Sequence, residues 1–216
     1  MATGNLPPPD IGEVLAAWGV DEARCAALGR YVAILDRWRR RINLIGPGDT
    51  DVIWRRHVLD SAQAWLHIED PAAPLLDLGS GAGLPGLILA ILGASDVTLV
   101  DSDQRKATFL REAARETGVR PRIVAARFDA ALAGGRGAYR TVTGRAVAPL
   151  PRLAPILAQA LAPAGYALLH KGAQVEKELT ETRISWTMRH TLIPSITGSD
   201  GVLAKIWGLQ QNGEPR

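Results

Sequence analysis

The chain has 216 residues, of which 47% are hydrophobic, and a mean hydropathy of +0.03, values typical of one well-buried globular domain with a short extension. It has no apolar run long enough to cross a membrane, and its single cysteine, Cys25, excludes a disulfide framework and a cysteine-rich metal site. The net charge is only +3, but just four of the 25 basic residues are lysines, and the arginines that make up the rest suit phosphate recognition.

The first 70 residues predict a small helical cap. Residues 1–9 include three consecutive prolines and lack the basic and apolar parts of a signal peptide, so we expect a disordered leader and a cytoplasmic protein. Asp10 and Asp21 are expected to cap the first two helices, and a third helix follows a Gly-Pro-Gly break. We therefore expect a helical cap over residues 10–70 and a second domain over residues 71–210.

Two groups of basic residues lie in this predicted cap. The first comprises Arg37, Arg39, Arg40 and Arg41, and the second comprises Arg55, Arg56 and His57. Such groups are often solvated helix faces, but two of them ahead of a ligand-binding domain favour a nucleic-acid substrate. We expect the arginines at 39, 40, 55 and 56 to contact phosphates without reading bases.

Three side chains in and beside these groups have two interpretations each. His57 either stacks on RNA or pairs with Asp60, one helical turn away, and the pairing is favoured. Trp38 and Trp54 either stack on bases or pack inside the cap. For Trp38 packing is favoured, because it continues the apolar stripe of its helix.

From Leu75 onward, strand and helix patterns alternate, which predicts a mostly parallel sheet with helices on both faces. The strands are predicted at 75–78, 96–100, 121–125, 139–144, 165–170, 190–195 and 202–207. The helices are predicted at 85–92, 104–117, 151–161 and 174–184. A Gly-Ser-Asp-Gly turn separates the last two strands, which we expect to form an antiparallel hairpin.

A glycine-rich loop follows the first of these strands. Residues 75–86 read Leu-Leu-Asp-Leu-Gly-Ser-Gly-Ala-Gly-Leu-Pro-Gly, and the next strand ends in Asp101. Glycines allow the backbone to turn sharply and approach a ligand, and an acid at the tip of the next parallel strand binds the two hydroxyls of a ribose. The pattern therefore predicts a site for a nucleoside cofactor.

The glycine pattern fits two kinds of cofactor. Gly-x-Gly-x-x-Gly with an acid about 20 residues later is the dinucleotide fingerprint of an oxidoreductase. S-adenosylmethionine has no phosphate, and its sites typically carry an acid just before the glycines, where Asp77 lies. A buried anion there repels a pyrophosphate and attracts a cation, so S-adenosylmethionine is favoured. A third interpretation, a non-catalytic RNA-binding protein on a methyltransferase scaffold, is disfavoured by the intact glycines and Asp101.

Seven short blocks in a fixed order carry a family resemblance. They include Trp38 with Asn43-Leu44, Arg56-His57 with Asp60-Ser61, the run from Asp77 to Gly86 with its Leu-Pro-Gly ending, Asp101-Ser102, Arg105-Lys106 with Phe109-Leu110, Arg145-Ala146 and Lys171-Gly172. On these residues the chain resembles the bacterial ribosomal RNA small-subunit methyltransferase G family, also called glucose-inhibited division protein B. The resemblance implies an α/β, class I S-adenosylmethionine-dependent methyltransferase: a Rossmann-like, mostly parallel seven-stranded sheet with an antiparallel C-terminal hairpin, plus an N-terminal helical extension.

The resemblance also implies an activity and a set of contacts. Members methylate N7 of one guanine in a loop of 16S ribosomal RNA. Together with the Asp77 argued above, the residues assigned to the cofactor are Gly79, Gly81, Gly83, Leu84, Asp101, Phe128, Asp129 and Arg145. The glycine segment would hold the methionine part, Asp101 the ribose, and Phe128 with Asp129 the adenine. One departure is Ala126-Arg127, where the family usually has Ser-Arg, and it leaves the adenine contact open.

The implied chemistry requires little of the protein beyond positioning. Guanine N7 has an in-plane lone pair and the sulfonium methyl is already electrophilic, so the transfer needs no general base and no metal. Holding the two in line supplies much of the rate. The four histidines have no metal-ligand spacing, and we expect no metal.

Arg145 and Lys171 are the candidate catalytic residues at the substrate edge. Each follows a predicted strand, at the end of the sheet where ligands bind, and a cation there donates to guanine O6 or holds a phosphate. The alternative for both is an ion pair with Asp77 or Asp129. The resemblance favours the functional role for Arg145 and leaves Lys171 open. The expected partner is 16S rRNA, either naked or in a small ribosomal subunit particle, and we expect a monomer.

Overall fold

A single sheet organises the computed structural model, which describes residues 6–128, 132, 137–198 and 201–213. Its strands are β1 (Leu75–Leu78), β2 (Val97–Asp101), β3 (Arg122–Ala125), β4 (Tyr139–Arg145), β5 (Leu161–Lys171), β6 (Trp186–Pro194) and β7 (Val202–Gln211). Within these residues the seven strands lie in the order β3-β2-β1-β4-β5-β7-β6. Strands β1 to β5 all run parallel to one another, β7 runs antiparallel to β5, and β6 runs antiparallel to β7. The predicted mostly parallel sheet with an antiparallel C-terminal hairpin is confirmed.

The helices follow local sequence signals. They are α1 (Pro9–Ala17), α2 (Glu22–Trp38), α3 (Gly86–Leu92), α4 (Gln104–Thr117), α5 (Leu150–Ala160) and α6 (Val175–Arg183). The Asp21 carboxylate caps α2 by accepting a hydrogen bond from the backbone N–H of Arg24. The predicted Asp10 cap is wrong: α1 begins earlier, at Pro9, because proline suits the first helical position, and Asp10 pairs with Arg55 instead.

The third predicted helix is not a regular α-helix. Residues 50–67, here called the mixed helix, pass from an α-helical turn (Thr50–Val52) through a π-helix (Ile53–Leu59) and a second α-helical turn to a 3₁₀-helix (Gln63–His67). Apolar spacing over so short a stretch does not distinguish an α-helix from a π-helix. The π-helix, a form frequent at functional sites, carries the second basic group of the sequence.

Both faces of the sheet are covered by apolar packing. One core joins the N-terminal helices, α3 and α4 to the sheet, and the other lies beneath α5 and α6. The ring of Trp38 meets that of Phe109 edge-on, with centroids 5.7 Å apart, so the packing interpretation of Trp38 is confirmed. Trp54 is only 1% exposed, so base stacking by Trp54 is excluded. Cys25 is partly buried filler against the first core. None of the described helices is long and apolar enough to cross a membrane.

Candidate active site

The glycine loop leaves β1 in a conformation that suits glycine. Gly79, Gly81 and Gly83 have φ values of +62°, +53° and +85°, in the left-handed region where side chains are strained. The last glycine of the motif has a different purpose. A Cβ at Gly86 would lie 2.4 Å from Cβ of Asp77, so only glycine allows α3 to pack this closely on β1.

Asp101 fastens the loop to the neighbouring strand. Its Oδ2 accepts a 2.9 Å hydrogen bond from the backbone N–H of Gly81, and its Oδ1 accepts one of 2.9 Å from the N–H of Asp103. A carboxylate offers about four acceptor positions, so each oxygen retains one for a further donor. The loop and the tip of β2 thus form one rigid unit with acceptor capacity to spare.

A first cleft of about 400 Å³ opens beside this unit. Its described lining consists of Gly79, Asp101, Ser102, Lys106, Ala126, Arg127, Phe128, Ala146, Val147 and Ile156. The structure therefore brings together Gly79, Asp101 and Phe128, three of the residues predicted to bind the cofactor. The apolar wall formed by Val147 and Ile156 was missed, because neither residue belongs to a recognisable motif. Predicted Asp129 lies outside the described residues.

Asp77 lies beneath the glycine loop rather than in the lining of the cleft. It is fully buried, and its Oδ1 accepts a 2.7 Å hydrogen bond from the hydroxyl of Thr143. Its Oδ2 has no hydrogen-bond partner in the described part of the chain. Burial raises the pKa of Asp77 to about 6. Leu84 is likewise a core residue, so neither of these two predicted side chains lines the cleft.

Arg145 ends β4 and is largely buried, with its side chain 21% exposed. Its Nε lies 3.4 Å from Oδ2 of Asp60, and its Nη2 donates to the carbonyl oxygen of Arg56 at 2.6 Å. Nη1 is buried and has no partner among the residues described. The alternative ion pair with Asp77 is thus not made; the partner is Asp60, 85 positions earlier in the chain. Burial lowers the pKa of Arg145, but an arginine stays charged near neutral pH.

Asp60 connects four parts of the fold. Its Oδ1 accepts hydrogen bonds from the side-chain amide of Gln63 at 3.2 Å and from the hydroxyl of Ser195 at 3.0 Å. Its backbone carbonyl accepts a 2.7 Å hydrogen bond from Nε2 of His170 on β5. The mixed helix, β4, β5 and the turn that follows β6 therefore meet at one residue, whose side chain is only 14% exposed.

A second cleft, of about 550 Å³, lies over this cluster. Its lining includes Arg56, His57, Asp60, Arg145, His170, Lys171 and residues of the turn between β6 and β7. The two clefts share Ala146, which has a φ of +52°, a conformation that costs a residue with a Cβ about 1 kcal/mol. Strain of this kind concentrates at functional sites.

The two histidines of the second cleft are neutral at physiological pH. Burial lowers the pKa of His57 to about 4 and also lowers that of His170. Their Nδ1 atoms are buried without a described partner. The predicted pairing of His57 with Asp60 is wrong, because the Asp60 carboxylate is taken up by Arg145, Gln63 and Ser195.

Lys171 is held by its own local partners. Its Nζ donates to Oε2 of Glu178 at 2.7 Å and to the carbonyl of Ala148 at 2.8 Å, and its side chain is 10% exposed. The same Glu178 oxygen also accepts from the N–H of Leu150 at the start of α5. The structure therefore gives Lys171 an ion pair, as in the alternative interpretation, but with Glu178 rather than with Asp77.

The basic residues predicted to bind RNA divide into paired and unpaired ones. Arg39 and Arg40 both contact Asp36, at 2.7 and 2.9 Å. Arg55 bridges two acids of neighbouring helical segments, Asp10 at 2.6 Å and Asp51 at 2.8 Å. Arg56 lines the second cleft without an ion pair to any described residue. In the described ranges no group of histidine, cysteine and acidic residues suits a metal ion.

Comparison with known proteins gives a consistent result. The family model for rRNA small subunit methyltransferase G matches residues 24–202. The ribosomal RNA small subunit methyltransferase G of Rhodospirillum centenum is 41% identical over 215 residues, 99% of this chain and 98% of the relative. That of Methylobacterium sp. (strain 4-46) is 44% identical over 209 residues, 94% of this chain and 98% of the relative.

Solved structures show the same architecture at low sequence identity. Ribosomal protein L11 methylase from Lactobacillus delbrueckii subsp. bulgaricus matches with a TM-score of 0.57 and 17% identity, over 74% of this chain and 80% of that one. The magnesium protoporphyrin IX methyltransferase of Synechocystis PCC 6803, solved with bound S-adenosylmethionine, gives 0.54 and 16%, over 87% and 98%. These likenesses show the fold, which is that of class I methyltransferases, as predicted.

Proposed function

The chain belongs to the rRNA small subunit methyltransferase G family, and we propose that it transfers a methyl group from S-adenosylmethionine to N7 of a guanine in 16S ribosomal RNA. One structural observation supports the proposal in addition to family membership. The cleft that contains Asp101 and the cleft that contains Arg145 meet at Ala146. A cofactor in the first cleft and a base in the second would therefore lie next to each other.

The first cleft suits an adenosine. Asp101 retains acceptor positions for the two ribose hydroxyls after bonding to the loop. Phe128, Val147 and Ile156 offer an apolar surface for the adenine ring, and Asp129 is proposed to accept from its amino group. Residues 79–84 would hold the methionine part through their backbone.

Asp77 favours a cationic cofactor over a dinucleotide. Its carboxylate, buried under the loop in a low-dielectric environment, interacts strongly with charges placed just above it. The sulfonium and ammonium groups of S-adenosylmethionine are attracted, whereas a pyrophosphate is repelled. The energetic cost of burying Asp77 is consistent with a functional acid, because such groups are retained where their charge is needed.

The second cleft suits a guanine. Arg145 lines this cleft, and its guanidinium would donate to O6 of the base. Adenine carries an amino donor in place of this acceptor. Arg145 therefore supports selection of guanine.

The transfer itself needs alignment rather than proton transfer. S-adenosylmethionine would supply the methyl group: attack by the N7 lone pair on the methyl carbon would break the carbon–sulfur bond and leave its electron pair on the sulfur of S-adenosylhomocysteine. The positive charge moves from sulfur to the base, so no net charge is created in the site. Asp60 balances the charge of Arg145, and the neutral His57 and His170 add no further repulsion.

The form of the substrate, the cellular location, the oligomeric state and the roles of the two domains are proposed on the same basis. The substrate is 16S rRNA or a small-subunit particle, which implies a cytoplasmic enzyme, and we expect a monomer that binds neither metal nor membrane. Residues 10–70 would act as a cap on a methyltransferase domain over residues 71–210. Of the predicted RNA contacts, Arg56 and His57 lie in the second cleft, while Arg39, Arg40 and Arg55 would have to exchange acidic partners for phosphates.

Two variants and one assay test the proposal. Asp101→Ala should weaken S-adenosylhomocysteine binding at least tenfold in calorimetry. Arg145→Gln should leave that affinity within about twofold and reduce labelled methyl transfer to 16S rRNA by about a hundredfold, because it removes a positioned donor. Mass spectrometry of digested rRNA should locate the methyl group at N7 of one guanine. Tight binding of NAD with none of S-adenosylhomocysteine would overturn the proposal, as would unaltered cofactor affinity in Asp101→Ala.

A further inference from the structure

One segment of the chain combines a surplus of positive charge with a position at the edge of the sheet. Residues 103–128 contain seven basic and three acidic side chains, a net charge of +4, against +3 for the whole chain. They form α4 and β3, and β3 is the strand at one edge of the sheet. The surplus positive charge of this segment therefore lies along one edge of the molecule.

The arginines of this edge are exposed and mostly unpaired. Arg111, Arg120 and Arg122 are exposed and form no ion pair with a residue the structure describes. Arg115 forms an ion pair with its neighbour Glu116 at 3.2 Å, and a pair at such a solvent-accessible position adds little net stability. The basic residues of the cap at 39, 40 and 55 are instead already neutralised by acids.

Three of these arginines surround a concave surface. Arg111, Arg115 and Arg120 line a depression of about 440 Å³ at the junction of α4 and β3. Its remaining lining is apolar or glycine, and its described lining contains no carboxylate. Three guanidinium groups therefore border a hollow whose described lining supplies no carboxylate.

The fold does not need these charges. The end of α4 is already closed by Gly118, in the left-handed conformation. Arg30 of α2 donates to the free carbonyls of Glu116 and Thr117. The helix terminus is thus satisfied without the exposed arginines, so their number calls for an external anion.

We propose that this arginine edge, composed of Arg111, Arg115, Arg120 and Arg122, binds phosphate groups of the substrate RNA remote from the methylated guanine. The inference rests on the proposed function. Helix α4 begins at the cofactor cleft, where Lys106 lines the wall, and its 14 residues span about 21 Å. An RNA held at the second cleft would therefore pass the cofactor cleft and follow α4 to the edge. Arginine forks bind phosphates bidentately and supply affinity rather than base recognition.

The salt dependence of binding provides the test. Each phosphate contact contributes about 0.7–0.9 to the slope of log affinity against log salt, so Arg111→Gln/Arg120→Gln should make the slope for full-length 16S rRNA shallower by about 1.5. The matched control is Arg183→Gln/Arg189→Gln, which removes the same charge at the opposite, β6 edge from two exposed arginines. Its slope should stay within about 0.3 of the wild type. Equal effects of both pairs would overturn the proposal, since a general charge effect would then explain them.

Two further readouts separate this inference from the proposed function. Affinity for S-adenosylhomocysteine and methyl transfer to a short RNA hairpin holding only the target loop should be unchanged in Arg111→Gln/Arg120→Gln. If the wild type methylates rRNA and this variant keeps its salt slope, the arginine edge is refuted while the activity stands. A defect seen with the small-subunit particle but not with naked rRNA would identify a ribosomal protein as the partner, and would also refute it.

Discussion

At the scale of single residues, Asp60 is the most connected side chain of the site. It faces Arg145 while holding Gln63 and the hydroxyl of Ser195. None of the hydrogen bonds of Asp60 reaches an atom that is expected to react in either cleft. We therefore regard Asp60 as a positioning residue. Its charge compensates a largely buried guanidinium, and removal of one partner from such a pair leaves the other uncompensated.

Asp60→Asn should therefore impair the methyl transfer step. We expect a rate about tenfold to a hundredfold lower at saturating substrates, because Arg145 loses its anchor, with S-adenosylhomocysteine affinity unchanged. Single-turnover methylation and calorimetry measure the two quantities. Asp36→Asn is the matched control, since Asp36 pairs with Arg39 and Arg40 outside both clefts, and it should alter neither. An equal loss of cofactor affinity in Asp60→Asn would show that its role is general folding.

At the scale of elements, the N-terminal helices support the cofactor loop directly. The hydroxyl of Tyr31, on α2, donates a 2.8 Å hydrogen bond to the carbonyl of Ala82 in the glycine loop. Burial raises the pKa of Tyr31, so the hydroxyl remains a donor. A second tyrosine, Tyr166 on β5, joins the end of the mixed helix to the sheet by accepting from the N–H of Glu69 and donating to the carbonyl of His67.

Comparison of these two tyrosines tests the link between cap and cofactor. Tyr31→Phe leaves the Ala82 carbonyl buried without its partner, which costs about 1–3 kcal/mol and loosens the loop. We expect S-adenosylhomocysteine affinity to fall about fivefold to tenfold by calorimetry. Tyr166→Phe should lower the unfolding temperature by a few degrees, since a loss of about 1 kcal/mol shifts it that far, without changing the affinity. Equal affinities in both variants would contradict a supporting role for α2.

At the scale of the whole molecule, the change in folding stability with acid combines opposite contributions from two buried groups. His57 has its pKa lowered by burial to about 4, so the unfolded chain binds a proton that the folded one rejects between about pH 6.5 and pH 4. Its contribution makes stability fall as the pH drops through that window. The pKa of Asp77 is raised by burial to about 6, so protonation of Asp77 below that pH favours the folded state and opposes the histidine.

His57→Gln isolates the histidine contribution. Between pH 7.5 and pH 5.5 the variant should lose less stability than the wild type, by about 0.5 kcal/mol once the partial exposure of His57 is considered. Urea unfolding at the two pH values measures the difference. Variant and wild type losing equal stability would mean that His57 titrates normally in the folded protein.

Local patterns in the sequence were sufficient for much of the fold. Alternation of apolar strands and amphipathic helices predicted the sheet and its hairpin, because side-chain periodicity depends on neighbours a few positions apart. The glycine loop and Asp101 were found for the same reason, since a backbone that must approach a ligand needs glycine in a fixed order. The π-helix over Ile53–Leu59 was missed, because its period differs too little from that of an α-helix over seven residues.

Pairing between distant side chains was decided only in three dimensions. The sequence offered Asp77 or Asp129 as acids for Arg145 and Lys171, and the fold supplied Asp60 and Glu178. The sequence drew attention to the arginines of the cap. The fold neutralised several of them and left Arg111, Arg120 and Arg122 without an acidic partner among the described residues. The sequence by itself thus determined the sheet, the cofactor loop and the family. Tertiary structure decided which charges are compensated, because compensation depends on distances of a few ångströms between residues that the chain separates by many positions.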